Sequence, residues 1–149
     1  MTSMGIHVLD CFRDLVGPIK RIGALSKART LKLPSGDTTA ALIEFENGAT
    51  GTLATTLKTP FVWRLAIYGD RCHAESVSET RAIVLRAGKE PEIIDRPADF
   101  HLGRNLDYFA KAAMGQGTFP ISPAGILQTV AALEAVFKSV EADGAWMAV

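Results

Sequence analysis

Cysteine is scarce in these 149 residues: only Cys11 and Cys72 occur. Two are too few for the disulfide framework of a small secreted protein, so a reducing cytoplasm is the expected setting. No stretch reaches the roughly 18 consecutive apolar residues of a membrane span. The first residues also lack the basic-then-apolar run of a signal peptide. Net charge is missing too, because sixteen Lys and Arg balance sixteen Asp and Glu. Without a whole-chain positive field to gather phosphates, neither nucleic acid nor an anionic membrane is an expected partner. Nor does G-x-G-x-x-G occur between a strand and a helix. Gly115-Gln116-Gly117 is too short a match and follows a helical pattern instead of opening one.

What is present suits a globular fold. Hydrophobic residues make up 48% of the chain and charged ones 21%, and a domain of this length buries roughly 68–70% of its unfolded surface. There is no internal repeat, low-complexity tract or linker, so a single domain over 1–149 is expected.

Residues 4–16 place Met4, Val8, Leu9, Phe12, Leu15 and Val16 at helical spacing, and Gly17-Pro18 stops the segment. Strand-like runs follow at 19–27, 31–33, 38–46, 49–58 and 61–68, then at 72–77, 82–86 and 92–95. Asn47-Gly48 is a strong hairpin signal. As a two-residue loop it sets Leu42 opposite Leu53 and Ile43 opposite Thr52, with Thr39, Thr50, Thr52 and Thr56 on one face. Helical spacing returns with Leu102, Leu106, Phe109 and Ala113, and again with Ile126, Val130, Leu133, Phe137 and Val140. Ser122-Pro123 reads as the start of the last helix and Gly144 as its end. Residues 146–149 are a short final strand. Helix, many antiparallel strands, then helices spell an α+β fold: an open, mainly antiparallel sheet with helices packed on one face. Its Thr-rich strands and Trp63 suggest that the other face meets a second copy of the chain.

The chemistry-bearing residues gather on the first helix. Ser3, His7, Asp10 and Asp14, spaced 4, 3 and 4, share one side of it. Solvation accounts for such a stripe, and Asp10 has Arg13 as an ion-pair neighbour. His7 and Cys11 also stand at i, i+4, a metal-ligand spacing. Their supposed partners, Cys72 and His73, are adjacent on a strand and point to opposite faces, so no metal site is expected. Lys58 and Arg64 are sheet cations, and His73 and His101 are structural.

Gly5-Ile6-His7-Val8-Leu9-Asp10 with Leu15-Val16-Gly17 resembles the G-x-H-x-x-D-x-x-x-x-L-x-G stretch of the Gfo/Idh/MocA oxidoreductases. The stretch from Ala40 through Gly51 is similar to that family's central hairpin, and Ile67-Tyr68-Gly69-Asp70-Arg71 to the turn after it. Pro120-Ile121-Ser122-Pro123, leading to Glu134-Ala135 and Ser139, is similar to its closing helix. Members have a Rossmann domain for the nicotinamide cofactor, followed by an α+β domain for substrate contacts and oligomerisation. The resemblance implies that this chain is the second domain, with the Rossmann domain and its E-K-P lysine lying outside it. NAD or NADP is then expected in the full-length protein and none in this chain alone.

The implied reaction is hydride transfer between a sugar- or cyclitol-like alcohol and the nicotinamide. The implied proton acceptor is His7, since imidazole titrates near neutral pH. Asp10 and Ser3 are the implied substrate contacts, Ser3 standing where the family has an aspartate. That serine also suits a cap on the helix, and it favours the alternative reading, a non-catalytic ligand-binding or scaffold module.

Overall fold

The computed structural model describes residues 4–98 and 101–149, which divide into two compact units, 1–59 with 121–149 and 60–120. The first contains α1 (Gly5–Val16), β1 (Ile19–Lys27), β2 (Thr38–Phe45), β3 (Thr50–Thr56), α3 (Pro123–Glu141) and β8 (Met147–Ala148). The second contains β4 (Leu65–Tyr68), β5 (Cys72–Ser76), β6 (Arg81–Arg86), β7 (Glu92–Asp95) and α2 (His101–Ala113). Each unit has its own four-stranded sheet, ordered β3-β2-β1-β8 in one and β4-β5-β6-β7 in the other. Every strand pair is antiparallel, and the fold is α+β.

In the first unit, alternation decides what is buried. Ala41, Ile43, Phe45 and Leu53 point inward with Ile22 and Ala24, and α3 packs on β1 while α1 packs on α3 and β3. Phe12 of α1 meets Phe45 edge-on, with ring centroids 6.2 Å apart. Ser122 caps α3 by accepting a hydrogen bond from the Gly125 N–H. Ser139, fully buried, accepts from the Ala24 N–H at 2.7 Å and donates to the Ala145 carbonyl at 2.6 Å. One hydroxyl thus satisfies backbone groups of β1 and of the turn before β8, where burial without a partner would be costly.

Five sequence expectations are corrected. The hairpin loop has three residues, not two: the Phe45 N–H bonds the Ala49 carbonyl, and Gly48 takes φ +85°, the left-handed residue that closes such a loop. The pairing therefore slips by one, to Leu42 with Thr52 and Ile43 with Gly51, and Thr39 lies on the core side, away from the threonine face. Residues 31–33 form no strand, nor do 61–64, so Trp63 is off the sheets. The buried stripe of α3 is Gly125, Thr129, Ala132, Val136 and Ser139, while Ile126 and Val130 are exposed; the small residues let the helix approach β1 and α1 closely. In α2, Leu102, Leu106 and Phe109 are exposed, although helical as expected. Finally, the N-cap of α1 is Met4, which gives no side-chain cap bond; Ser3 lies outside the described residues.

The loop at 28–36 is held by Asp37, only 3% exposed. Its carboxylate accepts from the backbone N–H groups of Arg29, Thr30 and Leu31 at 2.9, 2.5 and 2.6 Å. Those bonds, led by the one from Arg29, hold the carboxyl far below the usual carboxylate range, with burial opposing them and Thr38 assisting. A lowered folded-state value means that the stabilisation is complete above the unfolded value of about 4 and is lost as pH falls below it. Asp37→Asn is accordingly expected to lower the urea midpoint at pH 7 and to flatten its decline between about pH 5 and 3. Unfolding curves at stepped pH check both.

Candidate active site on the first helix

The helix α1 carries the predicted residues because its apolar side, with Leu9 and Phe12 buried, faces the core and turns the polar stripe outward. His7 is exposed and Asp10 half-buried. Asp14 is exposed and pairs with Arg13 at 3.1 Å.

Asp10 is the centre of a network that joins α1 to α3. Its Oδ1 accepts from Arg13 Nη2 at 3.0 Å and from the Thr129 hydroxyl at 2.7 Å. Thr129 Oγ1 in turn accepts from Arg13 Nε at 3.2 Å. Gly125 makes room for this arrangement: a Cβ there would come within 3.0 Å of Arg13 Nη1. Burial pushes the Asp10 carboxyl up, but the bonds from Thr129 and Arg13, with the charges of Arg13 and His7, outweigh it and keep the group below its ordinary value. Asp10 is ionised at neutral pH and lies close enough to feel the His7 charge. Arg13 could be anticipated from sequence as a partner of Asp10. Thr129 could not, being 119 positions from Asp10; its signal was a hydroxyl within a 4-3-4-3 series of small residues on α3.

The remaining candidates fall elsewhere. Burial, with the Asp10 and Asp14 charges, pushes the Cys11 thiol up, which disfavours the thiolate a metal needs. Among the described residues no group of three or more His, Cys, Asp or Glu could hold a metal ion. In the second unit Arg64 pairs with Glu75, and His73 stacks on Tyr68 at 4.4 Å with its Nε2 buried and unpartnered. Lys58 is exposed, and the side chain of His101 lies outside the described residues. A cleft of about 350 Å³, lined in part by Arg13, Glu46, Gln128 and Thr129, opens near the network; neither His7 nor Asp10 lines it.

The sequence model of the GFO/IDH/MocA C-terminal domain family matches residues 1–75, half of the chain. The chain belongs to that family. No curated protein matches it, but solved structures of this architecture do. An oxidoreductase from Agrobacterium radiobacter in complex with NAD+, L-tartaric acid and magnesium is 21% identical, with a TM-score of 0.82, covering 98% of this chain and 48% of that one. An inositol dehydrogenase homolog from Azotobacter vinelandii, complexed with NADH and myo-inositol, is 18% identical, with a TM-score of 0.78 over 97% and 48%. An oxidoreductase from Thermotoga maritima is 21% identical, with a TM-score of 0.80 over 97% and 42%. At these identities the likeness is one of fold, and the GFO/IDH/MocA C-terminal domain chain spans about half the length of these relatives.

Both sheets are antiparallel throughout, so no parallel β-α-β unit is available among the described strands to present a glycine-rich turn at a helix N-terminus. No described helix is long and apolar enough to cross a membrane.

Proposed function

We propose that this chain is the substrate-binding and oligomerisation part of an NAD(P)-dependent oxidoreductase acting on a sugar- or cyclitol-like alcohol in the cytoplasm, and that it is inactive by itself. The observation that carries the reading is His7: an exposed imidazole on the outward stripe of α1, with the ionised Asp10 carboxylate one turn away. Oxidising an alcohol carbon requires its hydroxyl to give up a proton, and an imidazole within hydrogen-bond reach accepts it. Asp10 and Ser3 would bind or orient the substrate from the same helix. The relatives crystallised with myo-inositol and with L-tartaric acid support a small polyhydroxylated substrate.

Pairing of two copies is supported by the outward face of the first sheet. Gly23 pairs with Leu42 and lies under Trp146, while Leu42, Leu25 and Trp146 are 56%, 49% and 46% exposed. Apolar side chains grouped on one sheet face suit a partner surface.

One experiment on the 149-residue chain tests both parts. Sedimentation velocity with NADH present is expected to show the protein moving as a dimer while the nicotinamide absorbance stays behind at the free-cofactor rate. Nicotinamide absorbance travelling with the protein would contradict the inactive-alone reading. A monomer at micromolar concentration would remove the oligomerisation role.

A further inference from the structure

Two donors from different helices converge on one oxygen of Asp10, and they are bonded to each other. α1 packs on α3, and apolar contact alone would be enough to hold two helices together. The Thr129 hydroxyl, in the buried stripe of α3 and 7% exposed, has two acceptors in reach, the Gly125 carbonyl of its own helix at 3.1 Å and Asp10 Oδ1 at 2.7 Å, and its one proton favours the nearer, charged oxygen. What the three bonds add is a single carboxylate position. Arg13, its side chain only 16% exposed, is itself held in place by Asp14 and Thr129, so the donor it offers Asp10 has a fixed position. Asp10 lies three residues after His7, so their side chains are neighbours on the helix surface. A carboxylate fixed there sets one negative charge beside His7, near enough for the His7 charge to act on it, and proton transfer depends on how its groups are held.

We infer that Thr129, together with Arg13, is a positioning residue: from α3 it fixes the Asp10 carboxylate beside His7 and so sets the reactive face of α1. This rests on the reading of His7 as the proton acceptor. Gly125 belongs to the same device, because the guanidinium occupies the space a side chain there would take.

The test compares Thr129→Val, which keeps the shape and removes the hydroxyl, with Thr129→Ser, which keeps the hydroxyl, and runs His7→Ala in parallel. In the 149-residue chain, carboxyl carbon NMR is expected to show the Asp10 titration moving up toward the ordinary carboxylate range in the valine variant and staying in place in the serine variant. In the full-length oxidoreductase the valine variant is expected to lose about ten-fold or more in kcat at unchanged KM, with serine restoring it. If His7→Ala lowers kcat but Thr129→Val leaves kcat and the Asp10 titration unchanged, the inference is overturned and the His7 reading stands. If His7→Ala has no effect, both fall. Should the valine variant not fold, Arg13→Lys, which keeps the charge but loses the fork, is expected to show the same loss in kcat at unchanged KM, and wild-type kcat there overturns the inference.

Discussion

His7→Ala in the full-length oxidoreductase is expected to lower kcat by about 10²–10⁴-fold while changing KM little. An alcohol does not lose hydride readily while its oxygen stays protonated, and water is a poor acceptor at neutral pH. The exposed imidazole on α1 is the group on this helix suited to take that proton. Asp14 is committed to Arg13, and Asp10 already accepts two hydrogen bonds on one oxygen and is kept below its ordinary value, which makes it a weak base. A lost base acts in the transition state more than in substrate binding, so kcat and kcat/KM should fall together. Steady-state kinetics with a cyclitol such as myo-inositol at saturating cofactor checks this. A rise in KM at constant kcat would instead make His7 a binding residue.

Phe45→Ala is expected to destabilise the first unit by about 3–5 kcal/mol, the range for deleting a fully buried aromatic side chain. Phe45 is 2% exposed. Its ring meets Phe12 edge-on, and the space over Gly51 is so tight that a Cβ there would lie 3.3 Å from the ring. Little can collapse into the gap, because the neighbours are backbone of β3 and a second ring, so the cavity term should be large. Phe12 is the seat of α1 on the sheet, and α1 carries His7. The loss should therefore also loosen the helix that bears the candidate site. Urea unfolding at fixed pH measures the first effect, and amide exchange along α1 the second. Phe45→Leu, which keeps more of the volume, should cost less. A loss below about 1 kcal/mol in the alanine variant would mean that α1 is held by other contacts.

Most elements were legible because their periodicities are strong and their ends punctuated. Gly17-Pro18 stops α1, Ser122-Pro123 starts α3 with the hydroxyl cap in place, and β1 and β7 run over the residues their patterns mark. What failed did so for identifiable reasons. Asn-Gly is compatible with both a two-residue and a three-residue loop, and the choice rests on whether Glu46 joins the ladder, which local sequence does not determine. In α3 two stripes have helical spacing, one large and apolar, the other small. Hydrophobicity selects the first, yet close packing on β1 and the Arg13 guanidinium selects the second. Leu31 and Leu33 alternate as in a strand, but the Leu31 N–H is taken by Asp37 and the Leu33 N–H by the Leu31 carbonyl.

The candidate site was legible in part. His7 and Asp10 were found from their spacing on one helix, and the G-x-H-x-x-D resemblance gave them roles. The α3 contribution was not visible, since Thr129 meets Asp10 only through tertiary packing. The division of the strands into two sheets was marked in the sequence only by Thr59-Pro60, where the first unit gives way to the second.

The central claim is that the imidazole on α1 receives the proton of the alcohol being oxidised. The most direct measurement is the distance from a His7 ring nitrogen to the reacting hydroxyl, in a crystal structure of the full-length oxidoreductase with cofactor and a polyol bound. The account predicts hydrogen-bond contact, about 2.6–3.2 Å. A ring turned away from the polyol, with another base seated against that hydroxyl, would contradict it.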